Sequence, residues 1–282
     1  MGDQPHQLAG GWKLEAGNWE PETGNWELEA GSWQLKNTSR LDTELVARGL
    51  AASRERARGL ILAGLVRVNG EVVSKAGTPV GSDAQLSLIE PDHPYVGRGG
   101  VKLAHALDVF GVEVAGRLAL DVGASTGGFT DVLLRRGARR VVALDVGHNQ
   151  LDWRLRSDPR VVVLERINAR GLTAGQLPND ARAFEVVTID VSFISARLVL
   201  PALVPLLLPG ADVLVLVKPQ FEAGREEVGK GGLVHAAVVH TRVIDEVAAA
   251  ANALGLTRVA MTESPITGTE GNREFFLHLR HG

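Results

Sequence analysis

Two lysines and two carboxylates are placed where they could handle a proton together. Asp190 closes an apolar run in Ile-Asp-Val-Ser-Phe, and Lys218 closes another in Val-Leu-Val-Lys-Pro-Gln-Phe-Glu. Glu274 opens an apolar run in Gly-Asn-Arg-Glu-Phe-Phe, and Lys102 lies on an amphipathic stretch after the basic, glycine-rich Arg98-Gly99-Gly100. Any one of them alone reads as a solvated charge at a strand end. Four of alternating sign on one sheet edge would form an acid–base array. A lysine at the end of a buried strand is the natural proton carrier in such a set. The chemistry it suits is attack by a weakly acidic hydroxyl, aligned with its electrophile and deprotonated late.

The electrophile's place is written between Leu118 and Asp145. An apolar run, Leu118 to Val122, ends in Asp121 and Gly123, and a small-residue loop with Gly127 and Gly128 follows. A helix-like stretch then leads to a second apolar run, Arg140 to Leu144, closed by Asp145. This is the first βαβ unit of a nucleotide-cofactor fold, with glycines for close backbone approach and an acid for ribose hydroxyls. Dinucleotide folds want G-x-G-x-x-G. Here Ser125 stands where the second glycine would be. Such a loop cradles a pyrophosphate poorly and suits the phosphate-free adenosine of S-adenosylmethionine.

Composition narrows the chemistry further. The 282 residues contain no cysteine, which excludes disulfides, cysteine metal clusters and the covalent cysteine route to cytosine C5 methylation. Asp190-Val-Ser-Phe lacks the paired prolines of enzymes that methylate exocyclic amines. Attack by an oxygen remains, with a ring nitrogen as the lesser alternative. The eight histidines are scattered, and only His278 and His281 are close, without a carboxylate pattern, so no metal is expected. Residues 1–36 hold six acids and two bases, which leaves the rest of the chain at +1 despite the overall −3. A near-neutral body binds RNA if its bases cluster.

No basic segment followed by an apolar run opens the chain. The most apolar stretch, Leu198 to Val217, holds Pro201, Pro205, Pro209, Gly210 and Asp212, and parses as helix, turn and buried strand. A cytoplasmic protein without a membrane partner is expected.

Positioning these residues takes three segments. Residues 1–38 carry a seven-residue repeat with Trp12, Trp19, Trp26 and Trp33, whose glycines and Pro21 oppose a helix, so disorder is expected there. Residues 39–94 read as a small module. Leu41 to Arg48 has helical periodicity, Ser53 is an N-cap for a second helix to about Ala63, Val66 to Val73 is a hairpin about Asn69-Gly70, and Val80 to Leu88 is one more strand. Arg54, Arg56 and Arg58 on the second helix, with Arg40 and Arg67 near, could track a phosphate backbone. Residues 95–282 alternate between strand and helix: strands 118–122, 140–145, 161–164, 185–190 and 211–217, helices 127–136, 149–156, 195–207 and 236–254, then closing strands near 256–262 and 274–280. The fold class is α/β, a doubly wound, mostly parallel sheet behind a small α+β module.

Longer motifs carry a resemblance. The run RLDTELVARGLAASRERARGLILAGLVRVNG resembles the alpha-L RNA-binding motif, shared by a ribosomal small-subunit protein and RNA pseudouridine synthases. YVGRGGVKL, LDVGASTGGFTDVLL, VALDVGHNQL, Ile167-Asn168-Ala-Arg, IDVSFIS, VKPQFEAGREEVGKGG and GNREFF resemble the TlyA family of rRNA ribose methyltransferases, often labelled haemolysin A, whose catalytic domain is similar to FtsJ. The resemblance implies a seven-stranded Rossmann-like domain with its last strand antiparallel. It places the family's catalytic Lys-Asp-Lys-Glu set on Lys102, Asp190, Lys218 and Glu274. Its cofactor positions fall on Gly123, Ala124, Ser125, Thr126, Gly127, Gly128, Phe129, Asp145 and Asn168. It implies 2′-O-methylation of cytidine in ribosomal RNA, free or within a subunit, with S-adenosylmethionine as donor. The chain stops eight residues after Glu274, which fits the shorter subtype and a large-subunit target. The tryptophan repeat is not a family feature. Against this stand an RNA-binding scaffold without catalysis, a pore-forming haemolysin, and an NAD-dependent oxidoreductase, which the missing G-x-G opposes.

Overall fold

Leucines four residues apart give the first helix its buried face. The computed structural model describes residues 38–51, 53–89, 93–268 and 270–282, so the tryptophan repeat lies outside the described residues. Strand β1 (Thr38–Arg40) leads into α1 (Leu41–Ala47), where Leu41 and Leu45 are fully buried. On α2 (Arg54–Leu62), Ala57, Leu60 and Ile61 form the facing stripe, and both stripes close on Val66 and Val80 in a core of their own. The Ser53 hydroxyl caps α2, accepting from the Arg56 amide at 3.2 Å. Strands β2 (Val66–Val68) and β3 (Glu71–Val72) form the hairpin expected about Asn69-Gly70.

The single strand expected over Val80 to Leu88 is two strands. β4 (Pro79–Gly81) pairs with β1, and β5 (Leu86–Leu88) pairs with β2. Between them the chain turns, and the Arg48 guanidinium fixes the turn by donating to the carbonyls of Gly81, Ser82 and Ala84.

The rest of the chain builds one twisted sheet. In order come α3 (Gly99–Phe110), β6 (Leu118–Val122), α4 (Gly128–Arg135), β7 (Arg140–Asp145), α5 (Trp153–Arg156), β8 (Val161–Glu165), β9 (Phe184–Ile189), α6 (Leu200–Leu203), β10 (Leu207–Val217), α7 (Pro219–Glu222), α8 (Ala237–Asn252), β11 (Leu256–Glu263) and β12 (Phe275–His281). The strand order is β11-β12-β10-β9-β6-β7-β8. Every pairing from β10 to β8 is parallel, and β12 runs antiparallel to both β10 and β11. The reversed last strand is the one the family resemblance implies.

Burial on both faces explains why these strands are continuously apolar. On β6, Leu118, Leu120 and Val122 join Val187, Val215 and the α8 residues Val243 and Val247 on one side. Ala119, Val141, Val186 and Leu214 face the other way, onto Leu103 and Leu107 of α3 and Val132 and Leu133 of α4. Successive residues on a strand thus feed opposite cores, each contributing about 1.5–3 kcal/mol per buried large side chain.

Two helices are shorter than the sequence suggests. The helix expected over 149–156 is α5 alone, begun by Asp152, whose carboxylate accepts from the Arg154 amide at 2.9 Å. The helix expected over 195–207 breaks into a 3-10 turn, α6 and a second 3-10 turn, because Pro201 and Pro205 donate no backbone hydrogen bond. β10 accordingly begins at Leu207, ahead of the expected 211, and its register against β9 shifts between Leu207 and Asp212.

Candidate active site

Topology delivers the four acid–base residues to one edge. Asp190 follows β9 and Lys218 follows β10 by one residue each. Glu274 precedes β12, and because β12 is reversed, with Phe275 opposite Val217, its start lies where its neighbours end. Lys102 rises from the first turn of α3. They meet as two ion pairs. Lys102 Nζ lies 2.5 Å from Glu274 Oε2, and Lys218 Nζ lies 2.6 Å from Asp190 Oδ1. Lys218 also donates to Ser192 Oγ at 3.0 Å. Glu274 is 3% exposed and Lys102 9%. Removing charges from water costs several kcal/mol per ion, so an arrangement that keeps two such pairs beside a cavity points to chemistry rather than stability.

All four side chains line a cavity of about 620 Å³, together with Arg98 and the loop after β6. Its far wall comes from the N-terminal module, through Leu62, Ala63, Gly64, Val72 and Ser74. A second cavity of about 330 Å³ adjoins, sharing Gly123, Ser125, Gln150 and Asp190. Leu144, Val146, Ile167, Val191 and Phe193 make it apolar, with Asp145 and Asn168 at its side.

The loop between these cavities is built on close backbone contact. Gly123 has φ +86°, and a Cβ there would stand 2.3 Å from the Asp190 carbonyl oxygen. A Cβ on Gly128 would stand 2.9 Å from the Gly100 amide nitrogen. The loop is therefore seated against both the segment that carries Asp190 and the helix that carries Lys102. Asp145 fastens it from the side, accepting from the Ser125 amide at 2.8 Å and the Gly147 amide at 2.7 Å. A carboxylate has about four acceptor sites, so this leaves capacity for a ligand hydroxyl.

The other cofactor candidates divide. Ala124 and Thr126 line the larger cavity. Phe129 also reaches its wall but is 3% exposed and packs on Phe276, which makes it a core residue first. Gly127 lies on the wall of neither cavity. Asn168 lines the smaller one and uses its Oδ1 to cap the following turn, accepting from the Arg170 amide at 3.0 Å. An apolar slot with a carboxylate at its side and a glycine cradle at its mouth fits an adenosyl group.

The arginines of the N-terminal module are less free than their spacing implies. Arg40, Arg54 and Arg58 converge on the fully buried carboxylate of Asp42, at 3.0, 3.1 and 3.2 Å. The Arg40 hydrogen bond, with those of the other two, holds Asp42 well below the usual carboxylate range. Each of the three side chains remains about half exposed, so they form a fixed cluster with a net positive charge. Arg67 donates to the Gly70 carbonyl. Arg56 points elsewhere, to Asp152 of the sheet domain.

Several residues escape sequence reasoning. Asp42 sits in the Arg-Leu-Asp start, but nothing in its spacing announces a three-arginine hub. Ser192 and Phe193 lie within the Asp-Val-Ser-Phe motif, whose residue types and spacing assign them no role. Phe193 is 90% exposed at φ +64° and leans on Phe221, whose ring centre is 6.0 Å from Lys218 Nζ. The wall contributed by Leu62 and Val72 depends on how the two modules meet, which no local pattern encodes.

The sheet order, the reversed last strand and the glycine loop at the carboxyl edge define a Rossmann-like methyltransferase domain behind a small RNA-binding-type module. Comparison with known proteins agrees. Residues 95–281 match the FtsJ-like methyltransferase family, and residues 39–86 match the S4 domain. The chain is 50% identical over 243 residues to the 16S/23S rRNA (cytidine-2'-O)-methyltransferase TlyA of Mycobacterium tuberculosis, covering 86% of this chain and 90% of that protein. It is 38% identical to Hemolysin A of Brachyspira hyodysenteriae, over 85% of this chain and 99% of the relative. The solved structure of a hemolysin-named protein from Streptococcus thermophilus superposes with TM-score 0.67 at 43% identity, covering 86% of this chain and 88% of the other. The chain belongs to the TlyA family of S4-bearing, FtsJ-like methyltransferases.

Proposed function

We propose that this chain transfers a methyl group from S-adenosylmethionine to the ribose 2′-hydroxyl of a cytidine in ribosomal RNA. The observation that carries the reading is the convergence of Lys102, Asp190, Lys218 and Glu274, as two ion pairs, on a cavity beside the Gly123–Phe129 loop. When bound, S-adenosylmethionine supplies an electrophilic sulfonium methyl. The loop from Gly123 to Thr126 would hold its amino-acid end, Asp145 its ribose hydroxyls, and the slot reaching Asn168 its base.

The chain's own residues would do the rest. In the proposed transfer Lys218 takes up the proton that leaves the attacking hydroxyl, and Asp190 stabilises the resulting ammonium. Ser192 fixes the amine's direction. The buried Lys102–Glu274 pair presents a positive charge on the other side of the cavity and orients the sugar. Phe193 offers an exposed aromatic face for the target base, as RNA-modifying sites do for unstacked nucleotides. The half-exposed cluster of Arg40, Arg54 and Arg58 would hold a phosphate backbone. Charge-assisted bonds to Asp42 pre-set its geometry.

Large-subunit RNA is the favoured target: the names of the Mycobacterium tuberculosis relative and of a Campylobacter jejuni relative, 36% identical, both include 23S rRNA. The test is transfer of tritiated methyl from S-adenosylmethionine to isolated ribosomal subunits and to free rRNA. Label in large-subunit RNA is expected. Label in none of the RNAs, or equal label in isolated small subunits, contradicts the respective part of the reading.

A further inference from the structure

Glu274 does not reach the site on a free strand end. It stands at the foot of a tight loop closed by Ser264 N donating to Glu274 O at 2.9 Å and by Gly268 N donating to Asn272 O at 2.8 Å. Space inside the loop is minimal, since a Cβ on Gly268 would stand 2.5 Å from Glu274 Oε1. Thr267 of the same loop lines the large cavity. Two residues before Glu274, Asn272 is 2% exposed, and its side chain points away from the loop into a different part of the chain. Its Oδ1 accepts from the Val234 amide at 2.9 Å, and its Nδ2 donates to the Gly232 carbonyl at 2.8 Å. Those partners lie in the glycine-rich segment that follows Lys218 and α7. The Val234 carbonyl is in turn held by His240 Nε2 of α8 at 2.8 Å.

We infer that Asn272 is a positioning residue for methyl transfer: its buried amide fastens the Glu274 loop to the segment behind Lys218, and so fixes Glu274 against Lys102. A carboxamide is the group this junction requires. One oxygen must accept and one nitrogen must donate, to a backbone amide and a backbone carbonyl two residues apart, and a shorter or purely accepting side chain meets only half of that demand. A buried backbone group left without its partner pulls the segment toward water. The loop would then shift, and a displacement of the order of an ångström is enough to spoil an orienting pair.

The kinetic consequence rests on the methyl transfer proposed above, and the test separates the two. In Asn272→Ala, hydrogen exchange followed by mass spectrometry should show lost protection in both the 229–236 and the 264–274 segments. Protection lost in neither, or in one alone, overturns the inference whether or not the protein methylates RNA. On the wild-type reaction, kcat should fall by about tenfold to a hundredfold, with the affinity for S-adenosylmethionine by calorimetry unchanged. The pH–rate profile should move in the same direction as that of Glu274→Gln. In the double variant the losses should not multiply, because Asn272 acts through Glu274. Multiplying losses, or an unmoved pH profile, would assign Asn272 a merely structural role and sink the inference. If Asn272→Ala unfolds, Asn272→Asp, which keeps the acceptor and the size, is read by the same criteria.

Discussion

Asp121 has no solvent contact at the end of β6, and its carboxylate accepts from Thr130 Oγ1 at 2.7 Å and Thr188 Oγ1 at 3.0 Å. These bonds tie the first turn of α4, the strand under the glycine loop and the strand that leads to Asp190. Burial pushes the Asp121 carboxyl up to about 7, while the two hydroxyls oppose the rise. A carboxyl of ordinary pKa in the unfolded chain, about 3.9, therefore binds its proton more tightly in the folded state. Its contribution to stability is complete below about pH 4 and is lost as the pH rises through about 7. Asn at this position keeps the shape and an acceptor but does not titrate. Across that window, the melting temperature of the wild type should fall relative to Asp121→Asn. A difference that stays constant with pH would show that the carboxyl ionises as freely as in water.

At the scale of elements, the loop after β6 is held in place by what its glycines avoid. Gly123→Ala must adopt a left-handed φ and press a methyl group against the Asp190 carbonyl, and the backbone conformation alone costs about 1–2 kcal/mol. S-adenosylmethionine should bind at least tenfold more weakly by calorimetry, with the far-ultraviolet circular dichroism unchanged. Equal affinity would mean that the loop does not hold the cofactor. This loop was legible in the sequence because a strand, a glycine pattern and a closing acid are local, and each has one physical use. The strands on either side were equally plain, since burial on both faces leaves an unbroken apolar run. What failed was decided by distant partners or by chain breakers. Val80 to Leu88 split because Arg48 reaches over to bind the turn, and the helix expected at 195–207 fragmented at Pro201 and Pro205. The four candidate acid–base residues could be proposed from their strand-end positions, but their division into Lys102–Glu274 and Lys218–Asp190 could not, because that depends on the side-chain geometry of four separate elements.

At the scale of the whole molecule, the N-terminal module does more than carry a basic surface. Asn37–Gly282 form one compact body, and the larger cavity has walls from both modules. Arg56, one of the arginines proposed to contact RNA, pairs with Asp152, which caps α5 and donates its amide to the Thr126 carbonyl of the loop after β6 at 3.1 Å. Asp152 therefore links the S4 module to the loop through two successive contacts. Arg56→Glu places two like charges at this junction, and small-angle scattering should report a larger radius of gyration than for the wild type. An unchanged radius would show that the apolar contacts hold the modules together without the ion pair. Among the described residues, no helix is long and apolar enough to cross a membrane.

The most direct test follows the methyl group to the atom that receives it. Large-subunit RNA methylated by the wild type and by Lys218→Arg would be digested to nucleosides and resolved by mass spectrometry. Arginine keeps the positive charge near Asp190 but cannot surrender its proton at working pH. The wild type should yield 2′-O-methylcytidine and Lys218→Arg none, with calorimetry showing that the variant still binds S-adenosylmethionine. A methyl group found on a base, or 2′-O-methylcytidine made equally well by the arginine variant, would contradict proton transfer to Lys218 at this site.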